Sequence, residues 1–316
     1  MSRFSQLISE ETKVPPALID SALKLAHVRY RKIRVPKRSG GHRTILQPAA
    51  ELKLIQAWLN ERVLSHLPVS PIASAFERGS SIVKNAAIHR NSAYSIRTDL
   101  KNFFPSIRSF DLIEIIRSNS SILPRFVLEP DFSNLVSKAC FDRDDRLPIG
   151  YPTSPCIANV VMYDIDSRLL NRISAETETF GKAKLTRYAD DFVFSTDKAG
   201  ACHSFLRALE ELLAQTNSPH FELNANKTRF MSRRGGSTLV TGLRINQDGE
   251  VRVHANYRDH VRLLLKHFAS GTLKPEDVPR LTGHLAFIEH ADPKLFTRLS
   301  FRYYAEIGRI RDKHTT

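Results

Sequence analysis

Lys184–Thr196 reads KLTRYADDFVFST. Apolar, β-branched and aromatic residues fill both ends, which predicts two strands with a tight turn on Ala189, Asp190 and Asp191. Adjacent carboxylates repel: about 4 Å apart at an effective dielectric of about 20, they cost on the order of 4 kcal/mol. Full solvation removes most of that, so the pair taken alone reads as an ordinary polar turn. Its surroundings change the reading. A second β-rich run, AYSIRTDL, carries Asp99 at its end. If the two strands lie side by side in one sheet, three acids meet, and such a cluster demands a cation. Hard oxygen ligands select Mg²⁺, with Mn²⁺ as the alternative. Two such ions roughly 3.5–4 Å apart form the clamp for in-line phosphoryl or nucleotidyl transfer. One lowers the pKa of the attacking hydroxyl, and the other holds the triphosphate and the leaving oxygen.

Charge points to the same class of partner. The chain of 316 residues carries 47 Lys and Arg against 33 Asp and Glu, a formal net charge of +14. An excess of that size fits a polyanionic partner, nucleic acid or an anionic membrane. No acidic residue occurs from Ser21 to Ala50, where Arg29, Arg31, Lys32, Arg34, Lys37, Arg38 and Arg43 cluster. Concentrated this way, the charge is self-repelling unless phosphates are near. No apolar run approaches the roughly 20 residues of a membrane span, and the N-terminus lacks the apolar stretch of a secretory signal. Cys140, Cys156 and Cys202 show no CxxC pairing, so neither a zinc site nor a disulfide framework is expected. A cytoplasmic protein that does not enter the membrane is the expectation.

Along the chain, residues 5–30 predict a helix. YRKIRVPKRSGGHRTILQP predicts a hairpin turning on Ser39-Gly40-Gly41, and the stripe Leu52, Ile55, Leu59, Val63 an amphipathic helix. A helix near Ser80–Arg90, a strand to Asp99 and a helix over Ser106–Ser118 follow. After the turn in LPIGYPTSP, an apolar helix begins near Ser154. Beyond the opening hairpin come a helix over Ala199–Gln215, a strand over His220–Asn224, one hairpin around Gln247-Asp248-Gly249, and helices from Tyr257 onward. The fold class is α+β, with a helical C-terminal part.

DLKNFFPSI, LPIGYPTSP and YADD, in that order, resemble the three palm motifs of a reverse transcriptase. The resemblance spans roughly Arg29 to Leu243 and implies a right-hand polymerase fold of fingers, palm and thumb, with an antiparallel palm sheet and a helical thumb. The implied domains are 1–92 for N-terminal helices and fingers, 93–235 for the palm with fingers segments near 107–150, and 236–316 for the thumb and basic C-terminus. Residue by residue, it implies metal binding by Asp99, the Leu100 carbonyl, Asp190 and Asp191, the last being the third acid that tunes or stabilises the site. Phe104 matches the aromatic gate that selects dNTPs by clashing with a 2′-hydroxyl, which leaves Phe103 to the core. Arg43, with Lys37 or Arg38, matches the grip on the incoming triphosphate; a guanidinium fork suits phosphate oxygens. Gly150, Pro152, Thr153 and Ser154 match the loop beside the template base and nucleotide, although Ile149 stands where most relatives carry Gln. Lys227, in LNANKT, matches the candidate acid that protonates pyrophosphate.

Two shorter elements resemble the bacterial retron branch: NAAIH, from Asn85 to His89, and VTG, Val240-Thr241-Gly242. Little more than 70 residues follow Leu243, room for a thumb rather than an RNase H or maturase domain. The retron resemblance implies an enzyme that binds a cognate structured noncoding RNA and primes from the 2′-hydroxyl of an internal guanosine. It then builds a branched RNA–DNA hybrid, msDNA, in anti-phage defence with a separately encoded effector protein. The motif residues Asn85, His89, Val240, Thr241 and Gly242, with the basic thumb residues Arg258, Arg262, Lys266 and Arg302, are the expected RNA contacts. Two alternatives are a defence reverse transcriptase with protein-primed or untemplated synthesis, and an RNA-binding scaffold with a vestigial site.

Overall fold

The computed structural model describes residues 3–37 and 40–312, so Arg38, one expected triphosphate contact, lies outside the described residues. The single N-terminal helix expected over residues 5–30 is two, α1 (Arg3–Thr12) and α2 (Pro16–Lys24). Pro15 and Pro16 cannot continue α1, whereas Pro16 suits the first turn of α2, where an N–H would be unpaired anyway. Both helices bury their apolar faces (Phe4, Ile8, Ile19, Leu23) in the larger of two cores. Strands β1 (Tyr30–Pro36) and β2 (His42–Pro48) pair antiparallel along their whole length. The expected stripe on α3 (Ala50–Arg62) is buried, and α4 (Ile82–Ile88) starts at Ser81, whose side chain accepts from Lys84 N at 3.1 Å.

Strand β3 (Tyr94–Asp99) leads through the short α5 (Phe103–Ser106) into α6 (Ser109–Ser118). The helix expected from Ser106 therefore starts later, where Asp111 accepts from Arg108 N at 2.7 Å. Helices α7 (Phe132–Cys140), α8 (Ser154–Val161), α9 (Tyr163–Ala175) and α10 (Thr177–Phe180) precede the hairpin of β4 (Lys184–Tyr188) and β5 (Asp191–Thr196). Then come α11 (Ala201–Gln215) and β6 (Arg229–Ser232). The four strands form one antiparallel sheet in the order β4-β5-β3-β6. Its centre is covered on both faces, which explains the unbroken apolar run Phe192-Val193-Phe194. Phe194 stacks on Phe205 of α11 at 4.5 Å, while Val193 joins the second core.

The strand expected over His220–Asn224 is not one; that segment makes a single bridge, Leu223 with Leu100, and the sheet is completed by β6 instead. The single hairpin expected after Ser237 is a three-stranded meander, β7 (Thr238–Val240), β8 (Leu243–Ile245) and β9 (Val251–Val253). Thr241 (φ 45°) and Gly242 (φ 84°) form its first turn, both left-handed as a tight two-residue hairpin requires. Helices α12 (Ala255–Ala269), α13 (Val278–Ala291), α14 (Pro293–Arg302) and α15 (Tyr304–Asp312) close the chain. They share the second core with the meander and with Ala86 of α4. Among the described residues, no helix is long and apolar enough to cross a membrane.

Candidate active site

The sheet brings the predicted acids together. Asp99 at the end of β3 sits opposite Asp191 at the start of β5, and Leu100 N donates to Asp190 O at 3.0 Å. The three carboxylates are in different electrostatic states. Asp99 is buried and accepts from Lys227 Nζ at 2.8 and 2.9 Å and from Asn224 Nδ2 at 3.3 Å. Asp191 is gripped by the Arg97 fork, Nε to Oδ1 at 3.1 Å and Nη2 to Oδ2 at 2.7 Å. Asp190 enters no ion pair among the described residues. Burial, then the charges of Asp99 and Asp191, push its carboxyl up to about 6.

Two of the three acids expected at the metals are each held by a cation. Among the described residues no three acidic, His or Cys side chains are disposed to hold an ion as they stand. The reason is that Arg97 and Lys227 each hold one carboxylate. The half-buried, uncompensated Asp190 beside Asp99 fits a cation, because a positive charge there removes the repulsion that raises its pKa. Asp191, the third expected ligand, is paired with Arg97. Lys227, expected at pyrophosphate, meets Asp99 directly.

A buried cluster that sequence reading passed over fixes the turn itself. Arg187 on β4 is fully buried. Its Nε lies 2.8 and 3.0 Å from the two Asp166 carboxylate oxygens on α9, and its Nη2 is 2.7 Å from Oδ2. Its Nη1 donates to Asn159 Oδ1 on α8 at 3.2 Å and to Ala189 O at 3.1 Å. Ala189 has φ 58°, so the residue before the acids is left-handed and clamped by a buried guanidinium. An Arg inside a strand that leads into the core was the signal available, since a buried charge must find a partner. Arg97, two residues before Asp99 and so on the same strand face, carried a similar signal.

On the nucleotide side, Phe103 is buried, as expected, and Phe104 is half-buried against it with ring centroids 5.3 Å apart. Arg43 and Lys37 lie exposed on the β1–β2 hairpin. That hairpin is tied to the motif loop by Leu46 N donating to Ile149 O at 2.8 Å. Gly150 is required here: it has φ 108°, and a Cβ would lie 2.5 Å from Ile45 Cγ2 and 2.7 Å from Leu46 O. Pro152 is exposed and accepts at its carbonyl from Asn60 Nδ2 at 3.2 Å, whereas Thr153 and Ser154 are buried. At position 149 it is the backbone, not a side-chain amide, that does the structural task.

Residues 35–264 match the family of reverse transcriptases, RNA-dependent DNA polymerases. The chain is 37% identical over 287 residues to the retron Ec73 reverse transcriptase of Escherichia coli, covering 90% of each chain. It is 29% identical over 294 residues to the retron Ec86 reverse transcriptase of Escherichia coli, covering 92% of this chain and 86% of that one. To the retron Mx65 reverse transcriptase of Myxococcus xanthus it is 32% identical over 295 residues, covering 86% of this chain and 64% of that one. The chain is a bacterial retron reverse transcriptase. It has the right-hand fold and is an RNA-directed DNA polymerase, of a family that works with divalent metal ions.

The two segments that resemble retron elements, NAAIH and VTG, touch each other. Asn85 Nδ2 donates to Thr241 Oγ1 at 3.5 Å, and Thr241 Oγ1 donates to Ile82 O at 3.2 Å. Asn85, His89 and Val240 are buried, so in this conformation their side chains offer no surface to RNA. The His89 ring nitrogens are both occupied, Nδ1 by Ser195 Oγ at 2.7 Å and Nε2 by Thr186 Oγ1 at 2.8 Å. Burial lowers the His89 pKa to about 4 and keeps it neutral near pH 7. These residues build the joint between α4, the hairpin carrying the acids and the meander; Thr241 is partly exposed and Gly242 is exposed.

In the thumb, Arg262, Lys266, Arg298 and Arg302 line one groove between α12 and α14, with Asp259 as its only acid. Arg258 lies on the same helix, paired with Asp259 at 2.9 Å.

Proposed function

We propose that this reverse transcriptase binds a cognate structured noncoding RNA and starts DNA from the 2′-hydroxyl of an internal guanosine. The product is a branched RNA–DNA hybrid. The observation that carries the polymerase reading is the Asp99–Asp190 pair, two carboxylates held at adjacent strand ends with Asp190 uncompensated. The branched-priming reading rests on the likeness to retron enzymes and is supported by the contact between NAAIH and VTG, which joins the two retron elements.

Asp99, the Leu100 carbonyl, Asp190 and Asp191 are the groups that would hold Mg²⁺, or Mn²⁺ in its place. Bound there, two ions would activate the primer hydroxyl and stabilise the departing pyrophosphate. The chain's own residues supply the rest. Arg97 keeps Asp191 on the sheet and sets the charge beside Asp190. Lys227 neutralises Asp99 when the site is empty of substrate and, once released, is the cation nearest to serve pyrophosphate. Arg43, Lys37 and Arg38 receive the triphosphate, and Phe104 meets its sugar. Exposed cations on β1–β2 and along the α12–α14 groove take the RNA backbone, whose A-form duplexes are read by shape and phosphate. The domain division at 1–92, 93–235 and 236–316 is part of the same reading, as are cytoplasmic action, a defence role and a separately encoded effector.

The test is expression with and without the adjacent noncoding RNA, followed by isolation of the copurifying nucleic acid. A product sensitive to DNase and RNase, and resolved by a debranching enzyme, is expected. A protein-linked DNA would favour the protein-primed alternative. DNA synthesis that survives Asp190→Ala combined with Asp191→Ala would refute the site.

A further inference from the structure

The loop from Ser70 to Arg78 contains none of the residues assigned above, yet it is bound to the strand that leads into Asp190 and Asp191. Arg187 N donates to Ile72 O at 2.7 Å, Ser74 N donates to Arg187 O at 2.8 Å, and Ala73 pairs with Arg187 in a parallel bridge. Parallel pairing sends both segments the same way. Phe76, three residues beyond Ala73, therefore leaves toward the end of the sheet where Asp190, three residues beyond Arg187, turns.

Asn159 reaches into this loop from α8. The side chain whose Oδ1 accepts from Arg187 donates from Nδ2 to Ala75 O at 2.9 Å and to Glu77 Oε1 at 2.7 Å. It grips the residues on either side of Phe76. Between them, Phe76 has φ 66° and is 51% exposed. Both features are unfavourable for a bulky aromatic residue: left-handed backbone is strained without a glycine, and half the ring forgoes burial. What the conformation achieves is a contact. The Phe76 ring stands edge-on to Phe104, 6.4 Å between centroids at 63°, and gives Phe104 a second aromatic neighbour besides Phe103.

We infer that Phe76 is a positioning residue for sugar selection: Asn159 holds its strained backbone so that its ring braces Phe104 where an incoming nucleotide's sugar lies. This rests on the reading of Phe104 as the sugar gate. A brace fixes how far the gate ring tilts, and with it the room left for a 2′-hydroxyl.

Single-nucleotide extension of a primed template, with matched deoxy- and ribonucleoside triphosphates, tests the inference in wild type, Phe76→Ala, Phe76→Leu, Phe104→Ala and the Phe76→Ala/Phe104→Ala double variant. The readout is the ratio of kcat/KM for the two sugars, which a general loss of stability does not move. Phe76→Ala is expected to raise relative ribonucleotide use by more than about twofold and up to roughly 150-fold, the span of coupling between contacting residues. Phe76→Leu is expected to restore part of the discrimination, and the double variant to match Phe104→Ala alone. A ratio within about twofold of wild type in Phe76→Ala, with Phe104→Ala strongly shifted, overturns the brace and leaves the gate standing. Additive effects in the double variant also overturn it, since Phe76 would then act without Phe104. No shift in either single variant refutes gate and brace together.

Discussion

The buried Arg187–Asp166 pair separates what holds the fold from what holds the acids. Both side chains are fully buried. Removing one partner strands a charge out of water, which costs about 3–5 kcal/mol, whereas replacing both with apolar residues of similar volume is often close to neutral. Asp166→Asn is therefore expected to cost about 3–5 kcal/mol, because the guanidinium stays charged. Arg187→Met with Asp166→Leu removes both charges. What remains is the loss of donors to Asn159 Oδ1 and Ala189 O, about 2 kcal/mol in total with each at the low end of such penalties. The double variant is thus predicted to be the more stable of the two. Catalysis should run in the opposite order. Asp166→Asn keeps the guanidinium donating to Ala189 O, while the double variant abolishes that bond and frees a left-handed residue adjacent to Asp190. A misplacement near 1 Å at reacting groups costs roughly 100-fold. Urea denaturation followed by circular dichroism and kcat at saturating dNTP measure the two orders. Double-variant kcat within about threefold of wild type would refute the positioning role, a hundredfold loss being what a 1 Å misplacement produces. Asp166→Asn stability within about 1 kcal/mol of wild type would refute the buried pair.

Asp190→Asn should abolish DNA synthesis yet stabilise the metal-free protein by about 1–3 kcal/mol, since a carboxyl raised to about 6 is destabilising when ionised at pH 7; thermal melting in EDTA checks the sign. His89, lowered from 6.5 to about 4, takes up its proton in the unfolded chain first. Its neutral burial is fully stabilising above pH 6.5, and that contribution of about 3 kcal/mol is lost as pH falls from 6.5 to 4. A His89→Gln variant should show a flatter stability profile over that window. Gly150→Ala should cost about 1–3 kcal/mol or more through overpacking against β2, read as a fall in the urea midpoint. RNA affinity should fall with salt on a log–log slope of roughly −0.7 to −0.9 per phosphate neutralised, and Arg298→Ala with Arg302→Ala should flatten that slope in filter binding.

The features legible in the sequence are those that local chemistry determines. Strands that end in acids place Asp99 opposite Asp191 because period-two alternation and a tight turn leave few registers. Phe103 could be assigned to the core because only one of two adjacent aromatic residues can face it. The features that were not legible are choices between distant partners. HFELN, from His220 to Asn224, has better strand composition than RFMS, from Arg229 to Ser232, yet the second segment pairs with β3. Asn224 N donates to Asp99 O, and Lys227 reaches the Asp99 carboxylate, so the first segment bends around the acids and cannot extend the ladder. The meander makes the same point against turn propensity. Asn246–Gly249 is an evident turn, whereas Thr241 is β-branched and poorly suited to positive φ. Its hydroxyl finds Ile82 O and Asn85 on α4, a contact 159 residues away in sequence for the former. A docking interaction thus decides the backbone of VTG. Of the six described non-glycine residues with positive φ, Thr241, Ala189 and Phe76 lie where two distant segments are locked together, and Ala189 and Phe76 flank the carboxylates or the gate. Strain that local sequence disfavours, and tertiary contacts enforce, is therefore the better guide to where this polymerase is tuned than the motifs alone.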